Sequence, residues 1–309
     1  MAVEVVAPSR IHLGMLNPAW PSLGRLYVSA GLAVDRPRTV VRARRCREAS
    51  LDGPYEEHER LALLSLLREL GLAACVEVVE APPRHVGLGS TTQLLLATVL
   101  AAARTHGAEV DMAAVARRLG IGRRSGVGFH AFLRGGFIVD GGLRPGDAGP
   151  PPLLLRLEFP EEWRVVVALP RGRGLAGAGE ERAFSALSAL EAPGHVAEAS
   201  RVLFTQLLPA VVERDFQEFA RALGRLQEIV GAIFGPVQGG TFSPTSAELV
   251  RALREAGLEG VGQSSWGPAI YAFADGEEKA WRALEVARGL GATVVVAGAS
   301  NAGARAREL

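Results

Sequence analysis

The sequence predicts an α+β protein of two domains, and three observations support this. The chain has 309 residues, 48% of them hydrophobic, so it can bury a sizeable core in two units. Strand-like and helix-like segments come in runs rather than in strict alternation, which favours α+β over a doubly wound sheet. The Gly- and Pro-rich segment from Arg144 to Pro152 is the best linker candidate. We therefore place the domains at residues 1–150 and 151–309.

The first domain is predicted to be mainly strands, with one face exposed to water where apolar and polar residues alternate. A bend or bulge at Pro8-Ser9-Arg10 lies between the first two strands, and the turn-like Asp35-Arg36-Pro37 lies between the next two. The predicted strands are residues 3–7, 11–16, 25–34, 39–45, 74–80, 129–132 and 136–140. Helices are predicted over residues 57–70 and 111–119, and another directly behind residue 93.

The second domain has helical periodicity through most of its length. Its predicted strands are residues 153–159, 163–169, 259–263, 269–274 and 293–297. Its predicted helices are residues 180–190, 195–213, 215–234, 245–256 and 277–289.

Composition excludes several classes of protein. A formal net charge of +1 argues against a basic nucleic-acid surface or a polybasic membrane patch. The longest apolar run, residues 94–103, is too short to span a bilayer, and the N-terminus is unlike a signal peptide. Cys46 and Cys75 have no paired spacing, so we expect neither a disulfide nor a zinc site. These features predict a cytoplasmic protein without nucleic-acid or membrane partners.

The segment that carries the clearest chemistry is a glycine loop. Gly87 and Gly89 allow positive φ and close approach of a ligand, and an Ala/Leu-rich helical run follows. Free N–H groups at a helix N-terminus attract anions, phosphate above all. The predicted phosphate-binding residues here are Gly87, Gly89, Ser90, Thr91, Thr92 and Gln93. The alternative is an ordinary loop whose Ser and Thr residues only cap the helix.

A second glycine loop, Gly262-Gln-Ser-Ser-Trp-Gly-Pro268, lies between two predicted strands. Its residues Gly262, Gln263, Ser264 and Ser265 offer further hydroxyl and N–H donors. One such loop is weak evidence for a ligand site. Two loops in separate halves of the chain suggest one multi-phosphate ligand held between them.

Two shorter patterns complete the candidate catalytic set. Arg10 and His12 are two residues apart on a strand and therefore share a face, where they could clamp an anion and supply a proton. Arg124 and Ser125 follow Arg123 in a small-residue turn that could hold phosphate or carboxylate. The alternatives are a solvated edge strand and a solvated basic turn.

Three stretches, Pro8–Gly14, Val86–Gln93 and Gly260–Pro268, resemble the GHMP superfamily of galacto-, homoserine, mevalonate and phosphomevalonate kinases. The resemblance covers nearly the whole chain. It implies an N-terminal domain like ribosomal protein S5 domain 2 and a ferredoxin-like C-terminal domain.

The sequence departs from the kinase motifs at one informative position. Mevalonate-type kinases carry an acid directly after Ser-Gly-Val, and Gly128 stands there instead. This loss suggests a phosphorylated sugar bound for other chemistry.

Longer motifs resemble one branch of the superfamily, the β-ribofuranosylaminobenzene 5′-phosphate synthases of archaeal methanopterin biosynthesis. They are Arg10–Gly14, Gly87–Gln93, Gly135–Gly142, Gly239–Pro244 and Gly262–Pro268. The resemblance implies condensation of 5-phosphoribosyl 1-pyrophosphate with 4-aminobenzoate or 4-hydroxybenzoate, with release of carbon dioxide and pyrophosphate. A pyrophosphate leaving group calls for Mg²⁺, for which Asp140 and Glu180 are candidate ligands. The alternative for Asp140 is a cap on the Gly141-Gly142 turn. Superfamily analogy suggests a homodimer.

Two other functions stay open from the sequence. One is an ATP-dependent GHMP-type small-molecule kinase that uses a different acid. The other is a non-catalytic sensor of nucleotides or phosphosugars, which would bind tightly without turnover.

Overall fold

The computed structural model describes residues 2–172, 174–175, 177–191 and 193–309. Its strands are β1 (Ala2–Met15), β2 (Ser29–Arg45), β3 (Ser50–Asp52), β4 (Ala74–Glu80), β5 (Phe137–Asp140), β6 (Leu153–Leu157), β7 (Arg164–Leu169), β8 (Val261–Gln263), β9 (Ile270–Ala274), β10 (Thr293–Ala297) and β11 (Arg305–Glu308). Its α-helices are α1 (Glu57–Glu69), α2 (Ser90–Thr105), α3 (Met112–Arg118), α4 (Val127–Arg134), α5 (Ala178–Ser188), α6 (His195–Val202), α7 (Leu208–Glu213), α8 (Phe216–Gln238), α9 (Pro244–Glu255) and α10 (Glu277–Gly289). A π-helical segment, Leu203–Leu207, joins α6 to α7.

The first sheet is built around two long antiparallel strands, β1 and β2. Its order is β11-β1-β2-β4-β3, and β5 pairs with both β2 and β6. Each predicted pair of strands is one continuous strand, and the bulge predicted as one possibility at Pro8-Ser9-Arg10 is present. Pro8 is accommodated at a shift in register between Ala7 and Ser9, because a bulge leaves one residue unpaired and so tolerates the missing N–H. β11 and β3 were not predicted.

Helix α4 replaces the strand that was predicted for residues 129–132. A short apolar run cannot be assigned to strand or buried helix by periodicity alone, and tertiary burial decides it. All residues from Val127 to Phe132 are buried, so the helix has almost no wet face. α4 and α2 both pack against β1 and β2, which places their N-termini side by side.

The second sheet is antiparallel, in the order β10-β7-β9-β8. Its core is continuous with that of the first sheet, since Ile11 of β1, Val165 of β7 and Phe219 of α8 belong to one buried cluster. β6 and β11 follow residue 150 in the chain yet pair within the first sheet. No helix in the described part of the chain is long and apolar enough to cross a membrane.

The expectation of two unpaired cysteines was wrong. Cys46, just beyond β2, forms a disulfide with Cys75 on β4, with Cα atoms 5.6 Å apart. Their separation of 29 residues gives no local signal, because the pairing of β2 with β4 is what brings them together. Arg44 lies directly opposite Cys75 in that ladder. The bridge encloses β3 and α1.

Candidate active site

The two glycine turns of the sequence lie in direct contact. Ala269 donates its backbone N–H to the carbonyl oxygen of Val86 at 3.0 Å. Gly87 has φ +89°, and a Cβ there would overlap the carbonyl of Ser264. The Ser264 hydroxyl accepts the His12 backbone N–H at 2.8 Å and donates to the carbonyl of Gly87. A residue of β1 and both turns therefore meet at one serine.

Beside this contact lies a cavity of about 390 Å³. It is formed by β1, the first turn of α2, the turn that precedes α4, and residues of α5 and α8. Its lining includes one cationic region and one aromatic region. The lining residues are Arg10, His12, Gly14, Met15, Thr92, Gly120, Gly122, Arg123, Arg124, Ser125, Glu180, Phe184, Gln227, Val230, Gly231, Phe234, Gln238, Thr241, Phe242, Gln263, Ser265 and Trp266.

Arg10 is the most enclosed cation of the cavity. Its guanidinium donates to the carbonyl of Gly87 and lies along Gly89, where a Cβ would be 3.0 Å from the Arg10 Cγ. Burial lowers the pKa of Arg10 to about 10, and the charge of Glu180 partly opposes that shift. The side chain is therefore still positively charged at neutral pH.

His12 lies next to Arg10 on the same face of β1, as the spacing predicted. Burial, helped by the positive charge of Arg10, lowers the pKa of its imidazole to about 3. At neutral pH the ring is uncharged. One ring nitrogen can then donate a hydrogen bond while the other accepts one, but the ring does not add charge to the cavity.

The basic turn, residues Arg123 to Ser125, adds two more cations to the cavity that Arg10 lines. The Arg124 guanidinium lies 4.4 Å from the ring centroid of Phe184 and 3.0 Å from Oε2 of Glu180. Oε1 of Glu180 accepts the indole N–H of Trp266 at 3.1 Å. Both oxygens of this carboxylate are thereby oriented, and Arg124 is held flat against an aromatic ring.

Three aromatic side chains in mutual contact form one side of the cavity, and Phe242 lines it as well. Trp266 meets Phe184 and Phe234 edge to face, with ring centroids 5.6 and 5.0 Å apart. Only Trp266 was singled out in the sequence. The two phenylalanines belong to helical apolar stripes, and such a stripe looks the same whether it faces a core or a cavity.

The predicted phosphate residues do not all face the cavity. Thr92, Gln263 and Ser265 line it. Thr91 turns away and its hydroxyl accepts from Arg84 at 3.0 Å, while the Gln93 amide donates to the carbonyl of Gly128 at 2.8 Å. The remaining members, which support the turns from behind, are Gly87, Gly89, Ser90, Gly262 and Ser264.

The structure separates the two predicted magnesium ligands. Asp140 is fully buried outside the cavity lining, and its oxygens accept from the backbone N–H groups of Gly126, Gly142 and Ser29. Burial raises the pKa of Asp140 to about 7, against the effect of these donors. Glu180 is the only acid among the described lining residues. A Mg²⁺ ion usually combines one or two carboxylates with substrate phosphates, so Glu180 fits that role and Asp140 does not.

Gly128 lies in the first turn of α4, beside the cavity. A Cβ at this position would lie 3.4 Å from the Thr92 methyl group and 3.5 Å from the Thr92 hydroxyl. An acid here would therefore reach the same space as Thr92. Instead, no carboxylate of the described residues occupies that part of the lining.

Comparisons with known proteins agree with this geometry. Residues 58–136 match the family model for the GHMP kinases N terminal domain, and residues 207–299 match that for GHMP kinases C terminal. The homoserine kinase of Cytophaga hutchinsonii superposes with a TM-score of 0.67 at 18% identity over 99% of this chain and 97% of its own. A Lin0012 protein from Listeria innocua gives 0.72 at 13% identity over 100% of both chains. These two structures establish the fold.

Relatives in sequence are more specific. A protein of Archaeoglobus fulgidus named beta-ribofuranosylphenol 5′-phosphate synthase is 32% identical over 313 residues, which cover 96% of each chain. A protein of the same name from Methanothermobacter thermautotrophicus is 30% identical over 331 residues, 98% of this chain and 99% of its own. The chain therefore belongs to the beta-ribofuranosylphenol 5′-phosphate synthase family and has the two-domain α+β fold of the GHMP kinases.

Proposed function

We propose that this enzyme joins the ribose of 5-phosphoribosyl 1-pyrophosphate to the aromatic ring of 4-hydroxybenzoate or 4-aminobenzoate, with release of carbon dioxide and pyrophosphate. The name of its relatives, a ribofuranosylphenol phosphate synthase, supports the hydroxyl substrate. The product would be an intermediate of methanopterin biosynthesis, as the resemblance of the sequence motifs implies.

The observation that carries the proposal is the division of one cavity into a cationic and an aromatic region. Arg10, Arg123 and Arg124 line it together with an aromatic wall of Phe184, Phe234 and Trp266. Guanidinium groups recognise phosphate oxygens, and edge-to-face rings offer an apolar surface to a flat benzoate. The phosphate groups of one substrate match the cationic region, and the flat ring of the other matches the aromatic region.

These residues fit the charge that develops in the reaction. As the C1–oxygen bond breaks, its electron pair goes to pyrophosphate, whose growing negative charge the arginines stabilise. The ring carbon that bears the carboxylate attacks C1, activated by the para hydroxyl or amino group. Loss of carbon dioxide then returns the bonding pair to the ring and restores aromaticity. No proton has to leave the ring, so the site needs no strong base.

The cavity also has to exclude water, because water would capture an electron-poor ribose carbon. The aromatic wall and the buried His12 reduce the room for solvent there. Mg²⁺ is part of the proposal: bound with Glu180, it would neutralise charge on the pyrophosphate.

The decisive test is to incubate the protein with phosphoribosyl pyrophosphate, Mg²⁺ and carboxyl-labelled 4-hydroxybenzoate or 4-aminobenzoate. We expect labelled carbon dioxide and pyrophosphate in equal amounts, without any requirement for ATP. Arg124→Ala should lower the rate by one or more orders of magnitude, whereas Arg118→Ala, on the exposed surface of α3, should not. Absence of carbon dioxide with both benzoates would refute the synthase.

The kinase alternative has one structural argument in its favour, which is the fold itself. Gly128 argues against it, because the space beside Thr92 has no acid to activate an alcohol. Transfer of labelled phosphate from ATP to a small alcohol would support the kinase. Tight phosphosugar binding without either turnover would support a sensor.

We further propose that the enzyme works in the cytoplasm as a homodimer. Light scattering coupled to size-exclusion chromatography would report twice the chain mass of 32.6 kDa. A monomeric mass at micromolar concentration would contradict the dimer.

A further inference from the structure

Asp140 is a buried acid that the proposed reaction does not use. It stands at the end of β5 with no exposed surface. No arginine, lysine or histidine of the described residues forms an ion pair with it within 4.0 Å. Removing a carboxylate from water costs several kcal/mol in real proteins, so such a group normally has a compensating set of contacts.

The compensation comes from four donors in three parts of the chain. Oδ2 accepts the backbone N–H of Gly126 at 2.7 Å and the hydroxyl of Ser125 at 3.3 Å. Oδ1 accepts the backbone N–H groups of Gly142 and Ser29 at 3.0 and 3.2 Å. One oxygen therefore holds the basic turn and the other holds the central sheet.

The space around this link is tight. A Cβ on Gly126 would lie 3.2 Å from the Asp140 Cβ and 3.1 Å from both the His130 ring and the Pro151 carbonyl oxygen. The backbone of Gly126 therefore packs close to Asp140 and His130, with no room for a side chain between them. Arg123 and Arg124 directly precede these two anchored residues and line the cavity.

We propose that Asp140 is a positioning residue for the anion-binding wall: it tethers Ser125 and Gly126 to the sheet and so fixes Arg123 and Arg124 against the bound pyrophosphate group. This rests on the proposed function of the cavity. The carboxylate suits the task because one side chain must accept from donors on both sides. An amide in its place would present N–H groups to one pair of donors.

The test is Asp140→Asn, with binding of inorganic pyrophosphate measured by calorimetry without any metal. We expect a dissociation constant raised roughly tenfold, in line with the loss of a hydrogen bond to a charged group. The Michaelis constant for phosphoribosyl pyrophosphate should rise similarly, and kcat should fall as well, because the displaced arginines also stabilise the charge that develops on the leaving pyrophosphate. Asp35→Asn is the control, since Asp35 accepts one backbone N–H, from Gly298 at 2.8 Å, on the surface.

Ser125→Ala keeps the proposal falsifiable if Asp140→Asn does not fold. It removes one of the four donors and should weaken pyrophosphate binding a few-fold. Unchanged metal-free binding in a folded Asp140→Asn or, failing that, in Ser125→Ala would overturn the inference. So would a loss confined to Mg²⁺-dependent binding, which would make Asp140 a metal ligand. Pyrophosphate binding needs no turnover, so its outcome is distinct from failure of the synthase assay.

Discussion

Arg10 reaches the cavity because glycines leave room for its side chain. Gly89 has φ +72°, and its missing Cβ is the space that the Arg10 side chain occupies. The sequence alone indicates that Gly89 allows a left-handed turn. That the same glycine also makes room for an arginine on β1, far earlier in the chain, is visible only in the folded protein.

Gly89→Ala separates these two roles of the glycine. We expect it to lose about 1–2 kcal/mol of unfolding free energy through backbone strain, and to weaken pyrophosphate binding because Arg10 must move. Gly107→Ala is the matched control, since Gly107 has φ +63° with nothing within 4 Å of a Cβ. Equal loss of binding in both variants would contradict the explanation.

The burial of His12 predicts how the unfolding free energy depends on pH. Its pKa of about 3 lies below that of an unfolded histidine, so below about pH 6.5 the unfolded chain gains a proton that the folded chain refuses. The contribution of His12 to stability is therefore lost as the pH decreases, by about 2 kcal/mol between about pH 7 and pH 5. His12→Gln should remove this loss.

The comparison has to be made between variant and wild type. Asp140 has its pKa raised to about 7, so it favours the folded state at low pH and opposes the effect of His12. Urea unfolding should show the His12→Gln variant gaining about 2 kcal/mol on the wild type at about pH 5 relative to pH 7. A constant difference would mean that His12 titrates normally.

At the scale of elements, the disulfide fastens β2 to β4 around β3 and α1. α1 in turn supports the glycine loop, because its buried Glu59 pairs with Arg84 just before that loop.

Replacing both Cys46 and Cys75 with serine should lower the free energy of unfolding by about 3–4 kcal/mol, as expected for a closed loop of 29 residues. Chemical unfolding measures it, and reductant should destabilise the wild type equally. An unchanged midpoint would show that the bridge is absent in solution.

The elements that were predicted correctly have strong local signals. α1 has apolar residues at helical spacing and ends before Gly71, and α3 begins after Asp111, whose side chain accepts from Ala113 at 2.8 Å. α4 and the unbroken β1 lack such signals. Their conformation depends on what packs against them, which no window of sequence contains.

At the scale of the whole molecule, Ser264 joins the two halves of the chain. It links β1 and the first glycine loop to the second, and the amide of Gln227 on α8 likewise donates to the carbonyl of Leu13 on β1. The cavity lies along this interface between the two halves of the chain, which we call the seam. We therefore expect calorimetry to show one unfolding transition rather than two.

Ser264→Ala tests the seam. It leaves the buried N–H of His12 without a partner and should cost about 2 kcal/mol. Ser188→Ala, whose exposed hydroxyl donates to Ser185 within α5, should change stability by less than about 0.5 kcal/mol. Similar effects of the two substitutions, measured by thermal unfolding, would show that the seam contributes nothing.

The sequence by itself determined the fold class, the two glycine turns, the shared face of Arg10 and His12 and the missing acid at Gly128. The glycine turns and the shared face depend on residue type or on spacing within one element, the fold class depends on the order of the elements, and the missing acid is implied by the resemblance to the kinase motif. The tertiary structure alone decided that the turns touch, that Phe184 and Phe234 face a cavity and that Asp140 anchors a turn. Those facts depend on contacts between residues far apart in the chain, and local sequence periodicity carries no information about such contacts.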